Sequence, residues 1–300
     1  MRNTAFFLLV AAGLLWGTGG VTGHALAGAT GLAAPAVAAY RIGLGGLVLV
    51  LTRGFGRRAH PKGWWRPVAV TAVLAAAFQA CYFSAVALGT VSTATLVTIG
   101  SAPLFVLAAE SRHRRPSLAE LRPAGLGVLG LTLLIGTPAA GASLGSSLLG
   151  AGLAATSGAT FAGFTLYRAK ATDGVDEELV TGYGFLAGGL LLAAVTAVFT
   201  PVTFGLTARA AALLLVLATV PTALAYTLYF RGLAGATAAA ATVVALLEPL
   251  TATVLAVTLF GDHLGRPGWF GAALLLLSVL DTGRQHARRP VRVGPAEPAL

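Results

Sequence analysis

Charge is the scarcest commodity in this chain, and most solution chemistry is missing with it. Lys and Arg total 20 and Asp and Glu total 10 among 300 residues. Cys81 is the single cysteine, which excludes an intrachain disulfide and a thiolate metal cluster. Its plainest role is that of a small, half-buried thiol. The five histidines (His24, His60, His113, His263, His286) fall at helix ends or in loops, and none has metal-ligand spacing. No phosphate-binding Gly-rich loop carries Lys-Ser or Lys-Thr, so ATP hydrolysis is not the energy source. No His or Asp lies midway along an apolar segment to activate a serine, which argues against an intramembrane hydrolase. No cofactor is called for. No gap between apolar segments is long enough for a folded soluble domain.

What remains is hydrocarbon. Hydrophobic residues are 56% of the chain, and the mean hydropathy is +0.83. Nearly uncharged stretches of about 18 residues or more recur, each long enough for a hydrocarbon layer of roughly 30 Å at about 1.5 Å per helical residue. The fold expected is an all-α integral membrane protein. Ten helices are predicted, over 5–27, 33–52, 67–88, 92–109, 122–138, 147–168, 178–200, 208–230, 236–260 and 267–284. Turn chemistry separates them, at Pro35, Pro61, Pro116, Thr137-Pro138, Thr200-Pro201 and Arg266-Pro267. Residues 285–300, rich in Arg and Pro, read as an exposed, weakly ordered cytoplasmic tail.

The basic residues set the orientation. With the N-terminus inside, 17 of the 20 fall on the cytoplasmic side, among them Arg53, Arg57, Arg58, Arg112, Arg114, Arg168 and Arg231. Arg209 and Arg266 alone fall opposite. That asymmetry supports an even helix number, a multi-pass protein of the cell membrane, and both termini in the cytoplasm. The net charge of +10 is therefore spread over connecting loops, and nucleic acid is not an expected partner; membrane lipid is. The sequence specifies no oligomeric state. Arg2, the run Ala5–Leu15 and the triplet Ala25-Leu26-Ala27 also resemble a cleavable signal peptide. The apolar run, however, continues beyond the usual length and contains Trp16 and several glycines.

The two halves of the chain resemble each other. Tyr82-Phe83-Ser84-Ala85-Val86-Ala87-Leu88-Gly89 parallels Tyr229-Phe230-Arg231-Gly232-Leu233-Ala234-Gly235, and Gly89 to Pro103 then runs parallel with Gly235 to Pro249. Each half, 5–138 and 147–284, holds five helices. Five is odd, so the second copy must enter the membrane inverted, the arrangement found in secondary transporters.

Nearly the whole chain, 5–284, resembles EamA-type members of the drug/metabolite transporter superfamily. The features that carry this are Leu14-Leu15-Trp16-Gly17-Thr18, Pro35 with Arg41, the Tyr82-Phe83 end with Pro103, and Leu247-Glu248-Pro249 followed by Leu259-Phe260-Gly261-Asp262. The first half departs from the pattern, with Pro116 where an acidic residue is expected. The resemblance implies a ten-helix exporter or importer of small metabolites with a central cavity. The function expected is a secondary transporter working by alternating access, an exporter of amino acids, amines or drug-like compounds. A sugar-conjugate or lipid carrier of the same fold is the alternative. The substrate itself does not transfer with the resemblance.

Two charges lie inside apolar runs, where an ion costs at least a few kcal/mol. Glu248 lies twelve residues into its helix, near the bilayer midplane. It is a candidate ligand for a substrate ammonium, a candidate proton carrier, or a hydrogen-bonded packing residue. Pro249 removes a backbone donor and frees the carbonyl near Ala245. Arg41 lies nearer the outer face. It could bind a carboxylate, pair with Glu248 or snorkel to the interface. Together the two would suit a zwitterion such as an amino acid. Trp16, Tyr82, Tyr226 and Tyr229 are candidates to line the cavity, and Gln79 is a candidate polar contact. Pro103, Pro221 and Pro249 are candidate kinks. Gly13–Gly17, Gly19–Gly23 and Gly184–Gly188 have the spacing of close helix contacts.

Overall fold

A computed structural model describes residues 2–53, 62–135, 144–170, 176–260 and 265–288, and these residues form ten helical rods. The first five are α1 (Arg2–Thr30), α2 (Ala34–Arg53), α3 (Trp65–Leu88), α4 (Val91–Ser111) and α5 (Leu118–Ile135). The second five are α6 (Leu144–Arg168), α7 (Glu177–Ala197), α8 (Ala208–Leu233), α9 (238–260) and α10 (Arg266–Arg288). Eight of the ten are long and apolar enough to cross a membrane. The others, α6 and α10, span 25 and 23 residues but carry more hydroxyls or charges, such as Ser146, Ser147 and Ser157 in α6 and Asp281 and Arg284 in α10. Outward faces are apolar, with Leu190, Leu215 and Phe270 exposed, as a lipid-facing surface requires.

Local chemistry sets the ends of the rods. Gly31 has a φ of 71°, and its N–H closes onto the Ala27 carbonyl at 2.8 Å, terminating α1. Thr90 and Thr93 form a capping box at the start of α4. Thr207 and Thr237 cap α8 and α9, and Asp176 caps α7 by accepting from the Glu178 and Leu179 N–H groups.

α10 continues through Arg288, so the first four residues of the expected tail are helical. His286 is buried there and stacks on Phe6 of α1 at 6.2 Å between centroids. The Ala25-Leu26-Ala27 triplet lies inside α1 with Leu26 fully buried. Pro61, Pro138, Gly261, Asp262, the loop arginines Arg57 and Arg58, and residues 289–300 lie outside the described residues.

Two helices of the second half are segmented. Within α8, residues Thr219–Leu224 widen into a π-helical turn around Pro221, and the Thr222 hydroxyl donates to the Leu217 carbonyl at 2.8 Å. α9 consists of Ala238–Val244 and Leu247–Phe260 with a break between them. α4, by contrast, runs unbroken past Pro103.

Glycine makes the main interfaces possible, because backbone meets backbone there. A Cβ on Gly46 (α2) would strike the Gly182 carbonyl, at 2.5 Å, and the Leu186 N–H of α7. One on Gly189 (α7) would meet the Ala39 carbonyl at 2.9 Å and the Gly43 N at 2.5 Å, both in α2. α5 and α10 touch in the same reciprocal way: a Cβ on Gly130 would stand 2.8 Å from both the Gly271 carbonyl and Leu275 N, and one on Gly271 would stand 2.5 Å from both the Gly130 carbonyl and Leu134 N. Gly13 on α1 lies against Val244 and Leu247 of α9, and Gly158 on α6 lies against Thr98 and Ser101 of α4. Most of the spaced glycines sit at close helix contacts, Gly17 against Thr251, Gly19 against Pro221, Gly184 and Gly188 against Thr71 and Ala72, whereas a Cβ on Gly23 would make only an ordinary contact with Val37 at 3.6 Å.

Candidate functional site

Midway along the bundle, α1 brings Trp16 against α6 and α8. The Trp16 ring is buried, with centroids 5.0 Å from Tyr226, 4.9 Å from Tyr229 and 6.1 Å from Phe161. Phe185 of α7 packs edge-on against Tyr226 at 4.6 Å. The result is a continuous aromatic centre contributed by both halves of the chain. Beside it runs a narrow slot with room for about one water, bounded by Phe78, Gln79, Phe161, Phe164, Phe185 and Tyr226. Gln79 is buried, so its amide is the one side-chain amide among these walls.

Two of the aromatic candidates have their polar ends satisfied. The Tyr229 and Thr165 hydroxyls are hydrogen-bonded at 2.9 Å, as are those of Tyr82 and Thr95 at 2.8 Å. Trp16 differs: its indole N–H is buried and has no acceptor.

Arg41 points inward. Its Nη1 lies 3.4 Å from where a Cβ on Gly19 would stand, and its Nε is buried without a partner. Glu248 is set among α1, α2 and α8 yet keeps accessible surface. The two charges lie in the same neighbourhood as Tyr226 and Tyr82. They make no ion pair within 4.0 Å: the described ion pairs all lie elsewhere. A carboxylate and a guanidinium therefore stand apart around one aromatic centre.

The break in α9 places Glu248 in the first turn of its second segment. Pro249 has no N–H to give the Ala245 carbonyl, but Glu248 N–H donates to that carbonyl at 3.0 Å. The carbonyl is therefore occupied, contrary to the freed ligand expected from the sequence. Pro221 lies in the π turn of α8 and Pro103 in the unbroken α4.

Two features escaped sequence reasoning. Thr251, one turn beyond Glu248, has a buried hydroxyl without a partner and packs on Gly17; helical spacing from Glu248 was the available signal. The second is a set of ion pairs at the end of the bundle that holds the N-terminus. Glu178, opening α7, accepts from Arg53 of α2 and from Arg231 of α8, the latter at 2.6 Å. Arg168, counted from sequence among the cytoplasmic charges at the end of helix 147–168, closes α6 and is buried. It pairs with Glu177 at 2.7 Å, donates to the Thr181 hydroxyl at 2.9 Å and stands 4.8 Å over the Phe230 ring. Arg122 and Asp281 join α5 to α10 at the same end.

Glu178→Gln keeps the shape of the clasp and removes its charge. Partly exposed pairs contribute about 0.2–1 kcal/mol each, so amide exchange in the first turn of α7 should rise about fivefold. Hydrogen–deuterium exchange read by mass spectrometry checks this, and unchanged exchange would show that the clasp holds nothing.

A sequence profile of the EamA-like transporter family matches the chain twice, over residues 3–136 and 148–282. An uncharacterized transporter of Bacillus subtilis, YwfM, is 31% identical over 286 residues, covering 92% of each chain. An uncharacterized inner membrane transporter of Salmonella typhimurium, YicL, is 24% identical over 298 residues, covering 96% of this chain and 97% of its own. A solved crystal structure of a protein 20% identical superposes with a TM-score of 0.78, over 96% of this chain and all of the other. At that identity the likeness concerns the fold.

Proposed function

The chain belongs to the EamA-like transporter family, and we propose that it is a secondary transporter exporting small polar metabolites (amino acids, amines or drug-like compounds) across the cell membrane. The observation that carries this reading is the central site. An unpaired guanidinium, Arg41, and a carboxylate, Glu248, flank an aromatic centre inside an apolar bundle. Ions are costly at that depth, and a cargo of complementary charge is a reason to keep them. In this reading Trp16, Tyr82, Tyr226 and Tyr229 wall the cavity, Gln79 adds a polar contact, and Glu248 also carries the coupling proton.

Alternating access by two inverted halves is supported by the reciprocal contacts. Adding 143 to Gly46 and subtracting it from Gly182 and Leu186 converts the contacts of Gly46 into those of Gly189 with Ala39 and Gly43. A shift of 141 likewise converts the Gly130 contacts into those of Gly271. Such exchange is what an internal two-fold axis produces, and the double profile match agrees with it. The loop charges favour cytoplasmic termini, which would put the Glu178 clasp on the inner side.

Purified protein in liposomes, offered a panel of labelled amino acids and primary amines with and without an imposed pH gradient, tests the proposal. Gradient-dependent movement of at least one compound is expected. Absence of any such movement across the panel sinks the reading, and opposite gradients establish direction.

A further inference from the structure

We infer that the seam where α7 meets α6 and α8 is the inner route to the central slot, and that Arg168, Glu177, Glu178 and Arg231 form the gate that closes it. This rests on the transport reading above and deepens it, by naming the contacts that part when cargo crosses the end of the bundle holding the N-terminus.

α7 is joined to its neighbours in two different ways. Toward α2 the contact is backbone on backbone: a Cβ on Gly182 would stand 3.1 Å from Val50 N, and Gly46 and Gly189 continue the same close approach. Such a contact has no side chains to slide apart, and in this inference α2 and α7 move as one body. Toward α6 and α8 the contact is made by side chains. Phe185 packs on Phe164 at 6.1 Å and on Tyr226 at 4.6 Å, and all three rings border the narrow slot.

Nearer the N-terminal end, the same three helices carry charge in place of rings. Arg168 lies four residues from Phe164, Arg231 five from Tyr226 and Glu178 seven from Phe185, or about 6–11 Å along each helix. A layer of ions therefore stands about one to two turns from a layer of rings, on all three helices at once. The ion pairs divide by what they join. Arg53 with Glu178 lies within the α2–α7 pair, which the glycine contacts already hold. Arg231 with Glu178, at 2.6 Å, and Arg168 with Glu177, at 2.7 Å, cross the seam. Arg168 also donates to the Glu177 main-chain carbonyl at 2.7 Å. Its side chain is only 2% exposed, so the guanidinium fills the seam between α7 and Phe230.

Ions suit a contact that has to open and close again. An exposed pair gains little over its two hydrated partners, so Arg231 and Glu178 separate at small cost. A buried pair surrenders hydration comparable to the attraction it gains, and Arg168 also keeps a buried Nε without an acceptor. Parting the seam returns water to both guanidiniums, which holds the closed and open arrangements close in free energy. A well-packed apolar seal of similar volume would hold the helices shut more firmly.

The test is a matched pair of substitutions. Arg231→Gln cuts a link across the seam, whereas Arg53→Gln cuts the link within the α2–α7 pair. Each takes one arginine from the same Glu178 carboxylate, and the two side chains are 55% and 38% exposed, so both variants should fold. They are made in the full chain carrying Cys81→Ala and Thr165→Cys. The latter places a thiol at a fully buried position three residues from Arg168, on the same side of α6. A membrane-impermeant maleimide is then applied to one face of the vesicles at a time. From the face bearing the N-terminus, Arg231→Gln should raise the labelling rate about fivefold, and Arg53→Gln should leave it within about twofold. Glu177→Gln, which cuts the other crossing pair, should act as Arg231→Gln does. Hydrogen exchange over residues 161–168, read without the introduced thiol, is a second measure and should show the same difference. Equal responses of Arg231→Gln and Arg53→Gln, no rise in either crossing variant, or a rise from the opposite face overturns the inference. Labelling needs no cargo, so the transport reading then still stands on the liposome assay. Liposomes in which no compound moves overturn that reading and the gate with it.

Discussion

Glu248→Gln is expected to reduce transport by about 100-fold or more while the protein still folds. The substitution is nearly isosteric, so the packing of α9 on α1 at Gly13 and Gly17 is preserved. What is lost is the carboxylate among Arg41, Tyr226 and Tyr82. In the proposed complex Glu248 pairs with a positive group of the cargo; truncating one partner of a buried charge pair costs roughly 2–5 kcal/mol, and about 2.7 kcal/mol is a hundredfold. A second signature separates the two duties proposed for this residue. If Glu248 carries the proton, whatever slow flux remains will no longer respond to an imposed pH gradient. If it only holds an ammonium group, that flux will still respond. Initial rates in liposomes at matched protein incorporation measure both. A variant with the rate and the gradient response of the parent protein excludes Glu248 from the mechanism.

Gly46→Leu should damage the fold more than any single change at the aromatic centre. A side chain there meets the backbone of α7, at the Gly182 carbonyl and the Leu186 N–H, and backbone cannot swing aside as a side-chain tip can. Overpacking costs about 1–3 kcal/mol where neighbours adapt, and here the cost belongs at or above the upper end, for a fall in Tm of about 10 °C. Gly20→Ala is the matched control. Nothing stands within 4 Å of the Cβ it adds, and alanine is the better helix former. Melting curves and the monodispersity of purified protein distinguish the two. Equal stability of Gly46→Leu and Gly20→Ala would mean that the α2–α7 contact is slack.

The rods themselves were legible because their cause is local. Apolar runs bounded by Pro and Gly predict ten helices, and those ten occur; α1, α5, α6, α8 and α10 extend three or four residues beyond an expected end, and α7 stops three residues short of 200. The pattern could not say which prolines coincide with a change of helical form. Pro103 and Pro249 occupy matching places in the two halves, yet α4 runs through one and α9 is broken four residues before the other. Glu248 and Arg41 stood out because an ion in an apolar run is conspicuous by itself. Whether Arg41 would reach the surface or turn inward was a different matter, decided by a gap at Gly19 on another helix. The Glu178 clasp was invisible for the same reason: Arg53, Glu178 and Arg231 are near neighbours only once α2, α7 and α8 are assembled.

The two irregular stretches of the second half have a mechanical meaning. The π turn of α8 leans on α1 at Gly19, through Pro221, and the gap in α9 leans on the same helix at Gly13 and Gly17. Six residues of α-helix span about 9 Å, so two adjacent struts are weakened at nearly one height against a single unbroken post. Such a frame is expected to flex at that level more readily than above or below it. In the proposed mechanism, binding energy released at Glu248 would be delivered beside these two irregular stretches, with no long lever needed between the cargo and the part that bends.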